Sequence, residues 1–156
     1  MSRLPGRVNL ITLGVADVAR SSDFYCSIGF VRVDFDSDGV VFFQLDGTVL
    51  AVFGRDALAE DAGVASFAGG PGPVSLAINF AHEANVDAAL ALAHACGATI
   101  VQPARRVFWG GYSGYFSDPD GHLWEMAYNP HFPLDSRGHF ALPTLPAHST
   151  ASVGPQ

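Results

Sequence analysis

One arrangement of apolar residues and glycine-containing turns occurs twice along this chain, and it constrains the fold more than any single motif does. Each copy predicts a strand, then a helix, then three strands. The predicted helices end at Gly29 and Gly97, and hairpin turns follow at Asp46-Gly47 in the first copy and Asp120-Gly121 in the second. An internal repeat of this kind predicts two modules of the same structure.

A segment rich in glycine and proline, residues 69–73, separates the two copies and predicts a linker. We therefore expect an α+β chain with four segments. They are a first βαβββ module at 1–54, a linker with a short helix and a Gly/Pro loop at 55–73, a second βαβββ module at 74–130, and a C-terminal tail at 131–156. Repeated prolines in the tail predict that it is partly disordered.

The composition excludes several classes of protein. Of the 156 residues, 49% are apolar and 15% are charged, which is too apolar for a largely disordered chain. The net charge of −7 argues against a nucleic-acid or anionic-membrane partner, because both need basic patches. No apolar run approaches the roughly 20 residues of a membrane span. Since the N-terminus has no signal-peptide pattern and there are only two cysteines, we expect a cytoplasmic protein.

Two segments of the chain resemble a known superfamily. They are Leu13–Phe30, LGVADVARSSDFYCSIGF, and Tyr115–Tyr128, YFSDPDGHLWEMAY. Both are similar to the vicinal oxygen chelate superfamily, which includes glyoxalase I, extradiol dioxygenases, fosfomycin-modifying enzymes and bleomycin-resistance proteins. The resemblance covers residues 8–130 and implies paired βαβββ modules that form a curved mixed sheet with a cup and helices on the outer face. It also implies a homodimer.

Metal-dependent members of this superfamily bind a divalent ion through four side chains, one on each of four strands that line the cup. The resemblance places these positions at Leu10, Ala51, Ser75 and Glu125. Only Glu125 has a side chain suited to this role, and one carboxylate does not hold a divalent ion against water. We therefore expect no cofactor, with a divalent metal ion as the alternative.

Alternation along the strands predicts which side chains face the cup. We take Glu125 as facing inward and assume an even number of residues in the turn before its strand. The resemblance also implies that the Trp-Gly-Gly loop at 109–111 lies at the rim of the cup. The predicted ligand-binding residues are Thr12, Phe42, Gln44, Asn79, Trp109, Tyr112, Phe116 and Glu125. The alternative is that these side chains only fill a closed core.

Apolar walls with a few convergent polar groups are typical of sites for small organic molecules. We hypothesise a metal-independent protein, similar to the bleomycin-resistance members, that binds a small aromatic or cationic organic molecule in the cup. Its partners would be this molecule and a second copy of the chain, with no nucleic acid and no membrane. One alternative is a metal-dependent glyoxalase-like lyase, isomerase or dioxygenase. Another is a metal-free enzyme in which Glu125 acts as a general base.

Overall fold

The computed structural model describes residues 5–35, 37, 39–67, 69–140 and 142. The first module consists of β1 (Leu10–Val15), α1 (Val18–Ser27), β2 (Val31–Arg32), β3 (Val40–Gln44) and β4 (Val49–Gly54), and α2 (Arg55–Ala62) follows it. The second module consists of β5 (Ser75–Phe80), α3 (Glu83–Ala95), β6 (Thr99–Arg106), β7 (Tyr112–Ser117) and β8 (Leu123–Tyr128). The end of the tail, where disorder was predicted, lies outside the described residues.

The two modules have the same strand topology. The first forms a sheet in the order β1-β4-β3-β2, and the second forms a sheet in the order β5-β8-β7-β6. The β1–β4 and β5–β8 pairs are parallel, and the other pairs are antiparallel. The predicted α+β fold of two βαβββ modules is therefore confirmed, with hydrogen bonds that divide its strands into two four-stranded mixed sheets.

The helices begin and end where local chemistry predicts. The Asp17 carboxylate accepts a hydrogen bond from the Arg20 N–H at 3.0 Å and caps the start of α1. Gly29 and Gly97 follow α1 and α3 with φ angles of 105° and 102°, a backbone conformation that favours glycine. No helix among the described residues is long and apolar enough to cross a membrane.

One hydrophobic core joins the two modules. Phe24 and Tyr25 of α1 are buried against the first sheet, and they also contact the second sheet. The ring centroids of Phe24 and Phe116 are 6.4 Å apart, and those of Tyr25 and Trp124 are 6.0 Å apart. Since each pair brings together residues about a hundred positions apart, α1 fixes the second module against the first.

The turn between β7 and β8 holds the start of α1 through Asp120. The side chain of Asp120 is only 1% exposed. Its carboxylate accepts hydrogen bonds from the Ala16 N–H at 2.7 Å, from Arg20 at 3.0 Å and from the Ser21 hydroxyl at 2.6 Å. Burial favours the neutral form of this carboxyl, but these hydrogen bonds outweigh burial and hold the pKa of Asp120 below its usual range.

Asp118 joins the same turn to the middle of α1. Its buried carboxylate accepts hydrogen bonds from the Tyr25 hydroxyl at 2.7 Å and from His122 Nδ1 at 2.8 Å. The Trp124 indole N–H donates to the Tyr25 hydroxyl at 3.2 Å, which completes a polar network inside an aromatic cluster. Burial and the Asp118 carboxylate raise the pKa of Tyr25, so the phenol stays protonated and remains a donor.

The predicted register of β7 against β8 is wrong by one residue. Tyr115 pairs with Glu125, and Phe116 pairs with Trp124. The turn contains five residues, 118–122, because Asp118 accepts from the backbone N–H groups of both Asp120 and His122. A shift of one residue moves every side chain of a strand to the other face. Tyr112, Gly114 and Phe116 therefore face α3 and not the cup.

Gly114 provides a test of this register. A Cβ at this position would lie 2.7 Å from Leu90 Cδ1, 2.7 Å from the Ala104 nitrogen and 2.8 Å from the Gln102 oxygen. Since two of these neighbours are backbone atoms, we expect Gly114→Ala to lower the free energy of unfolding by about 1–3 kcal/mol. The matched control is Gly6→Ala, where no atom lies within 4 Å of the added Cβ. Urea unfolding that gives the two variants equal stability would contradict the register.

Asp120→Asn tests how much the hydrogen bonds between the β7–β8 turn and the start of α1 stabilise the fold. Since the folded-state pKa is lowered, the unfolded chain takes up this proton first as the pH falls. The stabilisation is then fully present above the ordinary carboxyl pKa of about 4 and is lost below it. We expect the variant to lose about 1–3 kcal/mol at neutral pH, and to approach the wild type as the pH falls toward 3.

The measurement for Asp120→Asn is urea unfolding at several pH values between 7 and 3. Asp23→Asn is the control, because Asp23 is an exposed carboxylate on the same helix. A difference between Asp120→Asn and the wild type that does not change with pH would rule out the proposed role of the ionised carboxylate.

Candidate functional site

Each sheet has one face packed against α1 or α3, and a second face that we call the cup face. In the first sheet the cup face carries Leu10, Thr12, Gly14, Val40, Phe42, Gln44, Val49, Ala51 and Phe53. In the second sheet it carries Ser75, Ala77, Asn79, Ser113, Tyr115, Ser117, Leu123, Glu125 and Ala127. The first set is mainly apolar, and the second set is more polar than predicted because of the register of β7.

Five of the predicted ligand-binding residues lie on the cup face, namely Thr12, Phe42, Gln44, Asn79 and Glu125. Thr12 and Phe42 lie on either side of Ala51 in the first sheet. The Gln44 amide donates to the Leu45 carbonyl at 2.7 Å and is exposed near the β3–β4 turn. Their placement follows from strand alternation, and a role in ligand binding stays a prediction for all five.

Tyr115 is a cup-face residue that the sequence prediction missed. It lies directly opposite Glu125 in the antiparallel pair, and both side chains are half-buried. Burial, hydrogen bonding to Glu125 and the charge of that carboxylate raise the pKa of Tyr115. The phenol is therefore protonated at neutral pH and is a hydrogen-bond donor beside the carboxylate. A count of five residues in the turn between β7 and β8 would have placed Tyr115 on the cup face. The sequence of the turn does not by itself show whether it contains four or five residues.

The four positions that the resemblance assigns to metal ligands do not supply the donor atoms that a divalent ion needs. Leu10, Ala51, Ser75 and Glu125 all lie on cup faces, as expected, but Leu10 and Ala51 have no donor atom. Among the described residues, no group of three His, Cys, Asp or Glu side chains lies close enough to hold a metal ion. This donor set does not fit a divalent cation, because one carboxylate and one hydroxyl leave most of its coordination sphere to water.

Two of the three aromatic residues predicted from the second module, Tyr112 and Phe116, lie on the helix-facing side of β7, and the position of Trp109 at the rim stays a prediction. The Tyr112 hydroxyl donates to Asp87 of α3 at 2.8 Å, and Phe116 stacks on Trp124 with ring centroids 6.3 Å apart. The Trp109 indole covers Gly111 so closely that a Cβ there would overlap the ring. Its neighbour Phe108 is completely exposed. The tip of this loop thus presents a phenylalanine to solvent, while the indole packs on its own backbone.

A cavity of about 300 Å³ lies between β1 and β5, each of which is an edge strand of its sheet. Cup-face residues from both sheets contribute to its wall, and α2 and the linker cover it. The wall consists of Ile11, Thr12, Leu13, Gly14, Arg55, Leu58, Phe67, Gly70, Pro71, Gly72, Val74, Leu76, His122 and Leu123. Most of these residues are apolar, and Thr12, Arg55 and His122 have the polar side chains.

Gly14 and Leu58 determine how α2 covers the cavity. A Cβ at Gly14 would lie 3.2 Å from Leu58 Cδ2, so the leucine packs directly on the backbone of β1. Arg55 starts the same helix, and one of its guanidinium nitrogens lies 3.8 Å from Asp120 Oδ1. Thr12 is the one predicted ligand-binding residue in the cavity wall, because most of the wall comes from the linker, α2 and the strand starts.

Comparison with known proteins identifies the family of this chain. The profile of the glyoxalase/bleomycin resistance protein/dioxygenase superfamily matches residues 7–126. A glyoxalase-related enzyme from Fulvimarina pelagi has a similar structure, with a TM-score of 0.82 and 36% sequence identity. That match covers 90% of this chain and 100% of the other chain. No curated protein matches the sequence.

More distant structures share the fold. A lactoylglutathione lyase from Agrobacterium tumefaciens has a TM-score of 0.63 and 23% identity, over 81% of this chain and 96% of its own. A glyoxalase/bleomycin resistance protein/dioxygenase family enzyme from Burkholderia phytofirmans PsJN has a TM-score of 0.69 and 19% identity, over 77% and 96% of the two chains. The profile match and the paired modules confirm the resemblance, and this chain belongs to the glyoxalase/bleomycin resistance protein/dioxygenase superfamily.

Proposed function

We propose that this protein binds a small organic molecule in the cavity between β1 and β5, without a bound metal ion. The observation that carries the proposal is the cavity itself, which has about 300 Å³ of space and a wall that is mostly apolar. This volume is at the lower end of the range for small-molecule sites, and the mixture of apolar walls and few polar groups is typical of them. The ligand is therefore a compact molecule with one large apolar part.

The independence from metal rests on the donor atoms. Glu125 offers one carboxylate, and the other three superfamily positions offer two apolar side chains and a hydroxyl. Glu125 is also absent from the cavity wall. We therefore propose binding as the function of the cavity, and the metal-dependent lyase, isomerase or dioxygenase remains the alternative. Elemental analysis that finds about one transition metal ion per chain in the purified protein would favour that alternative.

A metal-free enzyme with Glu125 as general base is a second candidate. The observation in its favour is the Glu125–Tyr115 pair, which places a carboxylate beside a protonated phenol on the cup face. Such a pair supplies a proton acceptor and a proton donor side by side. Glu125→Gln retains the shape of the side chain and removes the acceptor, so turnover that survives this substitution would eliminate the candidate.

Cavity filling tests the binding function. Leu58→Trp places a larger side chain in the cavity wall, and we expect it to reduce ligand binding at least tenfold. Leu92→Trp is the matched control, because Leu92 is an exposed leucine on α3. The probe is 3-phenylpropanamide, a neutral molecule with one ring, for which we expect a dissociation constant of about 1 mM or lower.

Binding of this probe is measured by ligand-observed NMR in the presence of EDTA. Retained binding in the wild type and in Leu92→Trp, with loss in Leu58→Trp, supports a cavity that needs no metal. Absence of wild-type binding to this probe and to its charged analogues 3-phenylpropanoate and 3-phenylpropylamine, or binding that EDTA abolishes, would overturn the proposal.

We further propose that the protein works as a cytoplasmic homodimer. Large apolar side chains are exposed near the outer strands of both sheets, including Val31, Phe35, Val101 and Phe108. A second copy of the chain that covers them would remove apolar surface from water. Light scattering in solution should then give twice the chain mass of 16.4 kDa, and a monomer at micromolar concentration would contradict the proposal.

A further inference from the structure

We infer that the cavity selects a ligand with a carboxylate group, which Arg55 binds, attached to an apolar body. The inference rests on the proposed binding function and names the chemical class of its ligand. Two residues of the cavity wall, Arg55 and His122, have titratable side chains, and neither is acidic. Among the wall residues, the formal charge at neutral pH is the positive charge of Arg55, which is opposite in sign to the net charge of the whole chain.

Within the part of the chain that the structure describes, the guanidinium group of Arg55 has N–H donors that are available to a ligand. The acidic atom that it approaches is Asp120 Oδ1 at 3.8 Å, which is beyond hydrogen-bonding distance. That carboxylate already accepts the Ala16 N–H, Arg20 and the Ser21 hydroxyl at 2.6–3.0 Å. A guanidinium has five N–H donors, arranged as a fork that matches the two oxygens of a carboxylate.

The position of Arg55 suits a ligand that enters the cavity from solvent. Its side chain is 33% exposed, so an incoming carboxylate reaches the guanidinium without breaking a hydrogen bond between Arg55 and Asp120. Asp120, by contrast, is 1% exposed and is occupied by its donors. Arg20 and Arg55 both lie beside Asp120, so this single carboxylate is shared between two guanidinium groups.

The rest of the wall accounts for the apolar body of the ligand. Leu13, Leu58, Leu76 and Leu123 come from four different elements and line the same space, with the Phe67 ring in the linker. Burial of apolar ligand surface against them contributes about 25 cal/mol for each Å² removed from water. The same burial lowers the local dielectric constant, which strengthens the contact between a carboxylate and Arg55.

This inference reverses the charge that was expected of the ligand. The expectation of a cationic molecule came from the net charge of −7 and from Glu125. Net charge is a property of the whole surface, whereas selection in a pocket depends on the groups that touch the ligand. Glu125 lies on the cup face but does not line the cavity. A cation placed in the cavity would instead lie beside Arg55.

Three probes of nearly equal shape test the inference: 3-phenylpropanoate, 3-phenylpropanamide and 3-phenylpropylamine. They differ in the charge of the terminal group, which is negative, zero and positive at neutral pH. We expect the wild-type protein to bind the carboxylate at least tenfold more tightly than the amide, and the amine most weakly. Calorimetry or ligand-observed NMR at low ionic strength measures these affinities, and the preference should diminish as salt is added.

Substitutions of Arg55 assign the preference to this side chain. Arg55→Met should weaken carboxylate binding at least tenfold and change amide binding less than threefold. Arg55→Lys keeps the positive charge but lacks the two parallel N–H donors of a guanidinium. We therefore expect its affinity for the carboxylate to lie between those of the wild type and Arg55→Met. Arg32→Met is the matched control, because Arg32 is an exposed arginine on β2, and it should bind all three probes as the wild type does.

The outcomes separate this inference from the proposed function. If the wild-type protein binds the amide as tightly as the carboxylate, or if Arg55→Met weakens both equally, the inference is wrong and small-molecule binding in the cavity still stands. If none of the three probes binds, both are wrong. The comparison of probes on the wild-type protein decides the inference even if an Arg55 variant is unstable.

Discussion

The structure depends on two carboxylates in a five-residue turn. Asp118 and Asp120 reach from the second module to α1 of the first, and nearly all their acceptor positions are filled by Tyr25, His122, Ser21, Arg20 and backbone N–H groups. Removing one donor would leave part of a buried carboxylate unpaired, which is costly. The network therefore holds the two sheets in one relative position, and the cavity between β1 and β5 exists only in that position.

Much of the fold could be predicted because its signals are local. Asp17 caps α1, and glycines at 29 and 97 end the two long helices, as the sequence indicates. For these helix ends the deciding interaction lies within a few residues of the position that it explains. Strand alternation, counted from the positions that the resemblance implies, also places Thr12, Phe42 and Asn79 on the correct face of their strands.

The candidate site was harder to predict because its determinants are not local. The face on which Tyr115 and Phe116 lie depends on whether the preceding turn has four or five residues, and the fifth residue is set by hydrogen bonds to Asp118. The cavity wall draws on β1, α2, the linker, β5 and β8, and no spacing pattern connects them. Arg55 in particular stands at the start of a short helix that has no motif of its own.

In the described residues, no hydrogen-bonded ladder joins β1 to β5, so the size of the cavity between them is not set by strand pairing. Paired strands are held near 4.8 Å apart, whereas the separation of these two edges follows from side-chain packing and from the hydrogen bonds of Asp118 and Asp120. The loop between α2 and β5 contributes Phe67, Gly70, Pro71 and Gly72 to the cavity wall. This loop therefore sets part of the volume of the cavity, whereas backbone hydrogen bonds hold each sheet together. We expect insertions, deletions or bulkier residues in the loop to change the cavity volume and to leave the hydrogen bonds of both sheets intact.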